Sequence, residues 1–348
     1  MSFISELIKW YQINKRDLPW RNTTNPYIIW LSEIILQQTR VNQGLPYYNR
    51  FVSQYPGISD FAAATEDEIL NLWQGLGYYS RGRNMHRTAL MVMEKYNGYF
   101  PSSYDDLITL KGVGEYTAAA IASFSANEAK AVVDGNVFRV LARYFGIKDP
   151  INTSGAKKLF TRIANELIDK RYPAISNQAI MEFGALHCKP VKPLCDTCPL
   201  KLDCVAFHRK EVTKYPVKLV RAPIKHRYFN YIVVSIEGRV IMRKRLFDDI
   251  WKNMYEFPLV ESEESLNLEQ LRERAEFIDG FGSSEIIRVD GPVKHLLSHQ
   301  AIHAKFFIID GSTMRQSIDP AWFFADIDEL ERLAQPKLIF TFLKNFLN

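Results

Sequence analysis

Two carboxylates stand where they could do chemistry. Glu33 is the only acid in Tyr27–Gln38, YIIWLSEIILQQ, a run that reads as a helix after Pro26 with apolar residues on nearly every side. Burial disfavours the charged form, so Glu33 is expected to keep its proton to near neutral pH and to act as a proton donor. The plainer alternative is a glutamate that reaches solvent or pairs with Arg21 or Arg40. Asp134, with Gly135 and Asn136, opens a second helix from Val137 to Phe145. There the helix dipole and free N–H groups are expected to hold a carboxylate ionised, although a simple N-cap is the commonest use of Asp at such a position. One neutral and one charged carboxyl group is the pairing that splits a glycosidic bond: the first protonates the leaving group, the second faces the sugar cation.

Three further stretches are built for binding. Gly112 and Gly114 bracket a tight turn before a small-residue helix, Tyr116–Ser123. Such a turn points backbone N–H groups outward and suits a phosphate. The loop Gly75-Leu76-Gly77-Tyr78-Tyr79-Ser80-Arg81-Gly82-Arg83 joins glycines, tyrosines and arginines. It offers cations for phosphates and an aromatic wedge for a base stack, or else a helix C-cap with a packed tyrosine. All four cysteines fall in C-x6-C-x2-C-x5-C spacing at Cys188, Cys195, Cys198 and Cys204. In a reducing compartment that pattern argues for metal over disulfides. Four thiolates suit zinc or an iron–sulfur cluster, but the spacing lacks the paired C-x-x-C ends usual in zinc ribbons.

The elements that must position these residues are helical through the first two thirds of the chain. Thr65-x-x-Glu68 is a capping box for a helix Glu66–Trp73, and Met85–Tyr96 is another helix. From Phe207 to Arg227 the chain carries seven Lys or Arg and one acid, Glu211, with Pro216 and Pro223, and reads as an extended basic linker. The period then changes. Tyr228–Ile236, a Glu237-Gly238 turn and Arg239–Arg245 form a hairpin. Trp251–Val260, a helix near Leu268–Phe277, a strand Ala301–Asp310 and a terminal helix Pro336–Leu347 complete an α+β domain.

At 348 residues two domains are expected. Residues 1–227 hold 30 Lys and Arg against 20 Asp and Glu, a net of +10, and residues 228–348 hold 14 against 19, a net of −5. A polyanion-binding first part joined to a mildly acidic second part fits that split. The sequence has no apolar run of 18 residues and no signal-like N-terminus. A cytoplasmic, nucleoid-associated protein without a membrane segment is therefore expected.

The motifs converge. Leu110-Lys111-Gly112-Val113-Gly114-Glu115-Tyr116-Thr117 resembles the helix-hairpin-helix of base-excision DNA glycosylases, and Val133-Asp134-Gly135-Asn136-Val137-x-Arg139-Val140 resembles the aspartate motif that follows it there. Trp30–Val41, WLSEIILQQTRV, is similar to the first catalytic helix of the MutY-type adenine DNA glycosylases, and the cysteine spacing is similar to that superfamily's [4Fe-4S] loop. The resemblance covers essentially the whole chain. It implies a mainly helical catalytic domain with the iron–sulfur loop over residues 1–206, the linker over 207–227, and a smaller α+β Nudix-like domain over 228–348 that inspects 8-oxoguanine.

The resemblance also implies roles. Glu33 protonates adenine and Asp134 stabilises or briefly traps the sugar cation, with Tyr116 and Asn136 positioning the nucleotide. The expected DNA contacts are Arg21, Gln38, Tyr78, Arg81, Gly112 and Gly114, with Leu297, Ser298 and His299 in place of the family's Phe-Ser-His loop. Cys188, Cys195, Cys198 and Cys204 would hold a [4Fe-4S] cluster. Relatives that also cut the backbone carry a lysine two residues after the hairpin's second glycine. Tyr116 occupies that position, so a monofunctional glycosylase is expected. Its partner would be duplex DNA bearing adenine opposite 8-oxoguanine or guanine, with the base flipped out, and the protein would act as a monomer. Leu271-Arg272-Glu273-Arg274-Ala275-Glu276 does not supply the R-E-x-x-E-E helix of a Nudix hydrolase. The rival readings are a lyase for oxidised pyrimidines and a non-catalytic damage-binding protein.

Overall fold

The computed structural model describes residues 2–220, 223–282, 284–314 and 319–347. The chain divides into two compact units, Met1–Ala63 with Asn84–Val220, and Ala64–Arg83 with Arg221–Asn348. Residues 64–83, expected within the helical domain, make their contacts within the second of these units. Residues 221 and 222 of the expected linker lie outside the described residues. Among the described residues no helix is long and apolar enough to cross a membrane.

The first unit is helical throughout its described residues. Ser2 caps the Phe3–Asn14 helix, which lays Phe3, Leu7 and Tyr11, one turn apart, into a core with Val137, Val140, Leu141, Phe160 and Phe183. The Glu115–Ala126 helix buries every residue from Thr117 to Ser123, which its alanines allow because they let neighbouring helices approach closely. The Gly135–Phe145 helix ends at Gly146 with φ +68. A Cβ there would stand 2.5 Å from Val205 Cγ1, so both the left-handed turn and the close packing call for glycine.

The second unit is a seven-stranded mixed sheet: β1 (Lys225–Ile236), β2 (Arg239–Lys244), β3 (Tyr255–Glu256), β4 (Leu259–Ser262), β5 (Ile286–Leu296), β6 (Gln300–Asp310) and β7 (Trp322–Ala325). The order is β3-β2-β1-β6-β5, with β4 paired to β1 and β7 to β2. β1 and β6 run parallel, Lys225 opposite Gln300 through Ser235 opposite Asp310. The Glu237-Gly238 turn has φ of +49 and +76, the paired left-handed geometry that tight hairpins favour. β1 is buried continuously from Phe229 to Val234, as expected of a strand covered on both faces. On one face Ile232, Val234, Ile241 and Phe307 meet Phe277 and Phe281. On the other Tyr231 stacks on Phe306, and Phe306 on Phe342 of the terminal Lys337–Phe346 helix.

Several expected bounds shift. The Glu33 helix runs Pro26–Ile35 and stops three residues before Gln38. The helix expected from Met85 begins at Ser80, so Arg81 and Arg83 lie in its first turn and not in the preceding loop. The helix near 268–277 is two short ones, Leu268–Arg272 and Ala275–Phe281, broken where Arg274 is extended. β5 was not expected at all, since its exposed, mixed residues show no clean alternation. The Thr65–Glu68 capping box forms as expected.

Candidate active site

Asn25 caps the Pro26–Ile35 helix and Pro26 starts it, with φ already set for the helix. The helix carries Glu33 into the interior, 9% exposed among Trp30, Leu31, Ile34 and Ile35. The Tyr116 hydroxyl donates to Glu33 Oε2 at 2.9 Å. Burial is the main force on this carboxyl. Tyr116 opposes it, nearby Asp134 adds to it, Arg21 opposes it, and the sum lifts the pKa to about 7. Glu33 is therefore a protonated donor in a good share of molecules at neutral pH. Tyr116 is pushed well above its ordinary value by burial and by the charges of Glu33 and Asp134, so it stays a donor.

Asp134 caps the Gly135–Phe145 helix. Oδ1 accepts the N–H groups of Asn136 and Val137, each at 2.8 Å, and Oδ2 accepts Asn136 Nδ2 at 2.7 Å. The expectation of a carboxyl tuned opposite to Glu33 is corrected here. Burial raises Asp134 as well, and its three hydrogen bonds and Arg139 only counter that rise. The contrast between the two acids lies in their donors, three against one. Asn136 is held in turn, its Oδ1 accepting from Arg139 Nη2 at 2.8 Å, and α-carbon packing is tight, since a Cβ on Gly184 would stand 2.6 Å from Asn136 Cβ. Chemically, the pair can deliver a proton from one side of a buried site and hold a negative charge by oriented donors on another.

The hairpin positions Tyr116. Gly112 takes φ +77 and a Cβ there would meet Asn84 Cβ at 2.7 Å, whereas Gly114 has open space beside it. Gly114 begins the Glu115–Ala126 helix with no side-chain cap, which leaves the first-turn N–H groups available to an anion. Gln37 Nε2 donates to Thr117 Oγ1 at 3.1 Å and ties the Glu33 helix to this one. Gln38 is exposed in the following turn at φ +59.

Arg21 is tied to an acid of the protein itself. Its guanidinium forks onto Glu182, Nη2 to Oε2 at 2.7 Å and Nη1 to Oε1 at 3.0 Å, beside an equal grip from Arg16. It is a partly buried counter-ion to the buried Glu182 carboxylate. Burial works against the Glu182 charge, but the hydrogen bonds from Arg16 and Arg21 overcome it and pull the pKa down to about 2. Neither Arg16 nor Glu182 was singled out from the sequence. Glu182 carried the same signal as Glu33, a single acid in an apolar helix.

Cys188, Cys195, Cys198 and Cys204 line one cavity with Arg143, Leu194, Phe207 and Val212. Burial and mutual repulsion push Cys198 up to about 12. Two arginines one helical turn apart clasp this loop. Arg139 Nε donates to Cys188 O at 2.8 Å, and Arg143 Nη1 donates to Lys189 O at 2.7 Å and lies 3.3 Å from Cys188 Sγ. The run Asp134–Asn136–Arg139–Cys188 thus joins the cap to the cysteine loop. The i, i+4 arginines on an otherwise apolar helix were the sequence signal for it.

The second unit carries the remaining expected contacts. Tyr78 is exposed at φ +49, a conformation few non-glycine residues adopt. Its hydroxyl hydrogen-bonds to Ser298 Oγ. Ser298 and His299 are exposed at the β5–β6 tip, which Leu297 N–H closes onto Gln300 O at 2.8 Å. Arg81, expected to reach a phosphate, lies folded under the loop instead. Its guanidinium sits 5.0 Å from the Trp73 ring and 5.4 Å from the Tyr78 ring, donates to Gly77 O at 3.2 Å, and is lowered to about 10 by burial.

Comparison with known proteins places this geometry. Residues 31–166 match the HhH-GPD superfamily of base excision DNA repair proteins, and residues 230–345 match the NUDIX domain. An adenine DNA glycosylase of Buchnera aphidicola subsp. Acyrthosiphon pisum is 35% identical over 75% of this chain and 75% of its own. An adenine DNA glycosylase of Mus musculus is 34% identical over 86% of this chain and 68% of its own. Among solved structures, a thermostable thymine-DNA glycosylase matches with a TM-score of 0.56 and 29% identity, covering 60% of this chain and 95% of that one. With two carboxyl groups and a tyrosine gathered in one buried site of a helix-hairpin-helix fold, and relatives of this extent, the chain belongs to the adenine DNA glycosylase family of base-excision-repair hydrolases acting on N-glycosyl bonds.

Proposed function

We propose that this enzyme releases adenine mispaired with 8-oxoguanine or guanine from duplex DNA, by hydrolysis and without cutting the backbone. The observation that carries the reading is Glu33: buried, lifted to about 7, and bonded by one hydroxyl that leaves its other oxygen to carry a proton. The Glu33 proton goes to the everted adenine ring. The N-glycosidic bond then breaks with its electron pair moving to the base. Asp134, held by three donors, faces the sugar cation or briefly traps it, and water completes the reaction. Tyr116 orients Glu33, and Asn136 holds the Asp134 carboxylate. Tyr116 has no amine with which to form a Schiff base to the sugar, which supports a monofunctional enzyme.

The four cysteines fit a [4Fe-4S] cluster. All four thiols line one cavity, which supports a group held by four thiolates. Bound there, the cluster would neutralise the thiolates and organise the loop bearing Lys189, Lys192 and Lys201. Redox chemistry is no part of the hydrolysis.

The direct test is incubation with an adenine:8-oxoguanine duplex, then mild alkali and a sizing gel. Strand cleavage only after alkali is expected. Cleavage without alkali, or borohydride trapping on an oxidised-pyrimidine duplex, would point to the lyase reading. The exposed Ser298 and His299 support recognition of the opposite base. Ser298→Ala with His299→Ala is expected to narrow the 8-oxoguanine over guanine preference about tenfold, the scale of one good hydrogen bond to a base edge. An unchanged ratio removes that role.

A further inference from the structure

Residues 64–83 precede the rest of the second unit by well over a hundred positions, yet they are fastened to it at both ends. On the Glu66–Leu72 helix, Asp67 accepts Lys244 Nζ at both oxygens, each at 2.9 Å, and the Tyr255 hydroxyl at 3.1 Å. Glu66 Oε1 accepts Asn253 Nδ2 at 2.6 Å. Further along, Asn71 Nδ2 donates to the carbonyls of Glu331 and Arg332 at 3.0 and 2.8 Å, and Arg83 Nη1 donates to Lys252 O at 2.7 Å. Between these anchors Gly75, Gly77 and Tyr78 all take left-handed backbone, φ +96, +71 and +49. Tyr78 is the costly one, because a side chain crowds that conformation. A loop so bent relaxes unless its ends are fixed.

We propose that Asp67, with Lys244 and Tyr255, is a positioning residue for opposite-base selectivity: it docks the Tyr78 segment on the sheet that carries Ser298, so that the base is read by two parts held in register. The proposal rests on the reading of Ser298 given under the proposed function, with Tyr78 as the aromatic wedge expected from the sequence. The Asp67–Lys244 pair is over a third exposed on each side, 38% and 34%, and such pairs add little to global stability. Its effect falls on geometry. Ser298 already shares a hydrogen bond with Tyr78, so a shift of the docked segment moves the wedge away from the tip that must act with it. The bidentate contact and the added phenol give Asp67 one preferred orientation, which a single surface pair lacks.

The test uses the full-length enzyme in single-turnover base release from adenine:8-oxoguanine and adenine:guanine duplexes. Asp67→Ala and Lys244→Ala are each expected to lower the preference for 8-oxoguanine about tenfold, with release opposite guanine within twofold of the parent and melting unchanged. The exchanged pair, Asp67→Lys with Lys244→Asp, is expected to recover most of the preference. An unchanged preference in Asp67→Ala overturns the proposal. So does a parallel fall on both duplexes, which would mark a merely structural role, or a loss that the exchanged pair does not recover. No release by the parent enzyme on either duplex overturns the proposed function itself, and this proposal with it; the other outcomes leave that function standing.

Discussion

Replacing Glu33 by glutamine is expected to remove most adenine release from an adenine:8-oxoguanine duplex and to leave duplex binding close to that of the parent enzyme. Glutamine keeps the shape and can still accept the Tyr116 hydroxyl, but it has no proton to give. A positioned general acid contributes on the order of 10² to 10⁴ in rate, and a loss of about that size is expected. The parent rate should be level below pH of about 7 and fall tenfold per unit above it, because the Glu33 carboxyl titrates there and only its protonated form acts. Residual activity in the glutamine variant should lack this limb. Retained turnover would rule out Glu33 as the acid.

The same burial makes a stability prediction. Glu33 is raised from 4.5 to about 7, so between those values the folded protein holds a proton that the unfolded chain has released. Stability from this group is complete below 4.5 and is lost as pH rises through about 7. The full loss corresponds to roughly 3 kcal/mol at about 1.4 kcal/mol per pH unit. Glu33→Gln is therefore expected to melt higher than the parent at pH 8 and alongside it at pH 4, read by calorimetry at both pH values. A lower melting point at pH 8 would contradict a buried, costly charge.

The second large effect is at Asp134. Asparagine caps a helix about as well as aspartate, and its oxygen can keep the N–H groups of Asn136 and Val137. It loses the negative charge that would face a sugar cation in a water-poor site, where such charge is most effective. A fall on the order of 10³ in single-turnover rate is expected, with a small loss of stability. The stability cost has a local cause. Asn136 Nδ2 now donates to Asp134 Oδ2 and would meet an amide nitrogen, and Asn136 is not free to flip while its Oδ1 takes Arg139. A rate within tenfold of the parent would reduce Asp134 to a cap.

Much of this was legible because local chemistry dictates it. The capping box at Thr65, the turn at Glu237-Gly238, the glycine demanded at Gly112 and the aspartate cap at Asp134 each depend on a few neighbouring residues. They form as read. Bounds failed where the signal was a tail of apolar or polar residues without a stop. Leu36 to Gln38 continue the apolar helix in sequence but turn out of it, and Ser80 to Asn84 start a helix where glycine and arginine suggested loop. The strand β5 shows no period because residues on both of its faces are exposed and its register shifts twice, between Ile286 and Arg288 and between Asp290 and Val293.

Partner choice was not legible. Glu33 and Glu182 are each the sole acid of an apolar helix, and sequence treats them alike. Folding brings two arginines to Glu182 and pulls it to about 2, while it brings one phenol to Glu33 and leaves it at about 7. Arg21 and Arg81 were both expected to contact DNA, and their intramolecular partners, Glu182 for one and the Gly77 carbonyl for the other, could not be read from the sequence. The types and spacing of the residues thus determined which chemistry this chain can attempt and which helices and strands hold it. Only the tertiary structure decided which acid holds its proton toward neutral pH, which cation is already committed, and that residues 64–83 bond to the sheet unit. The reason is that a pKa or an ion pair depends on what lies within a few ångströms in space, and those neighbours come from chain positions tens to hundreds of residues away.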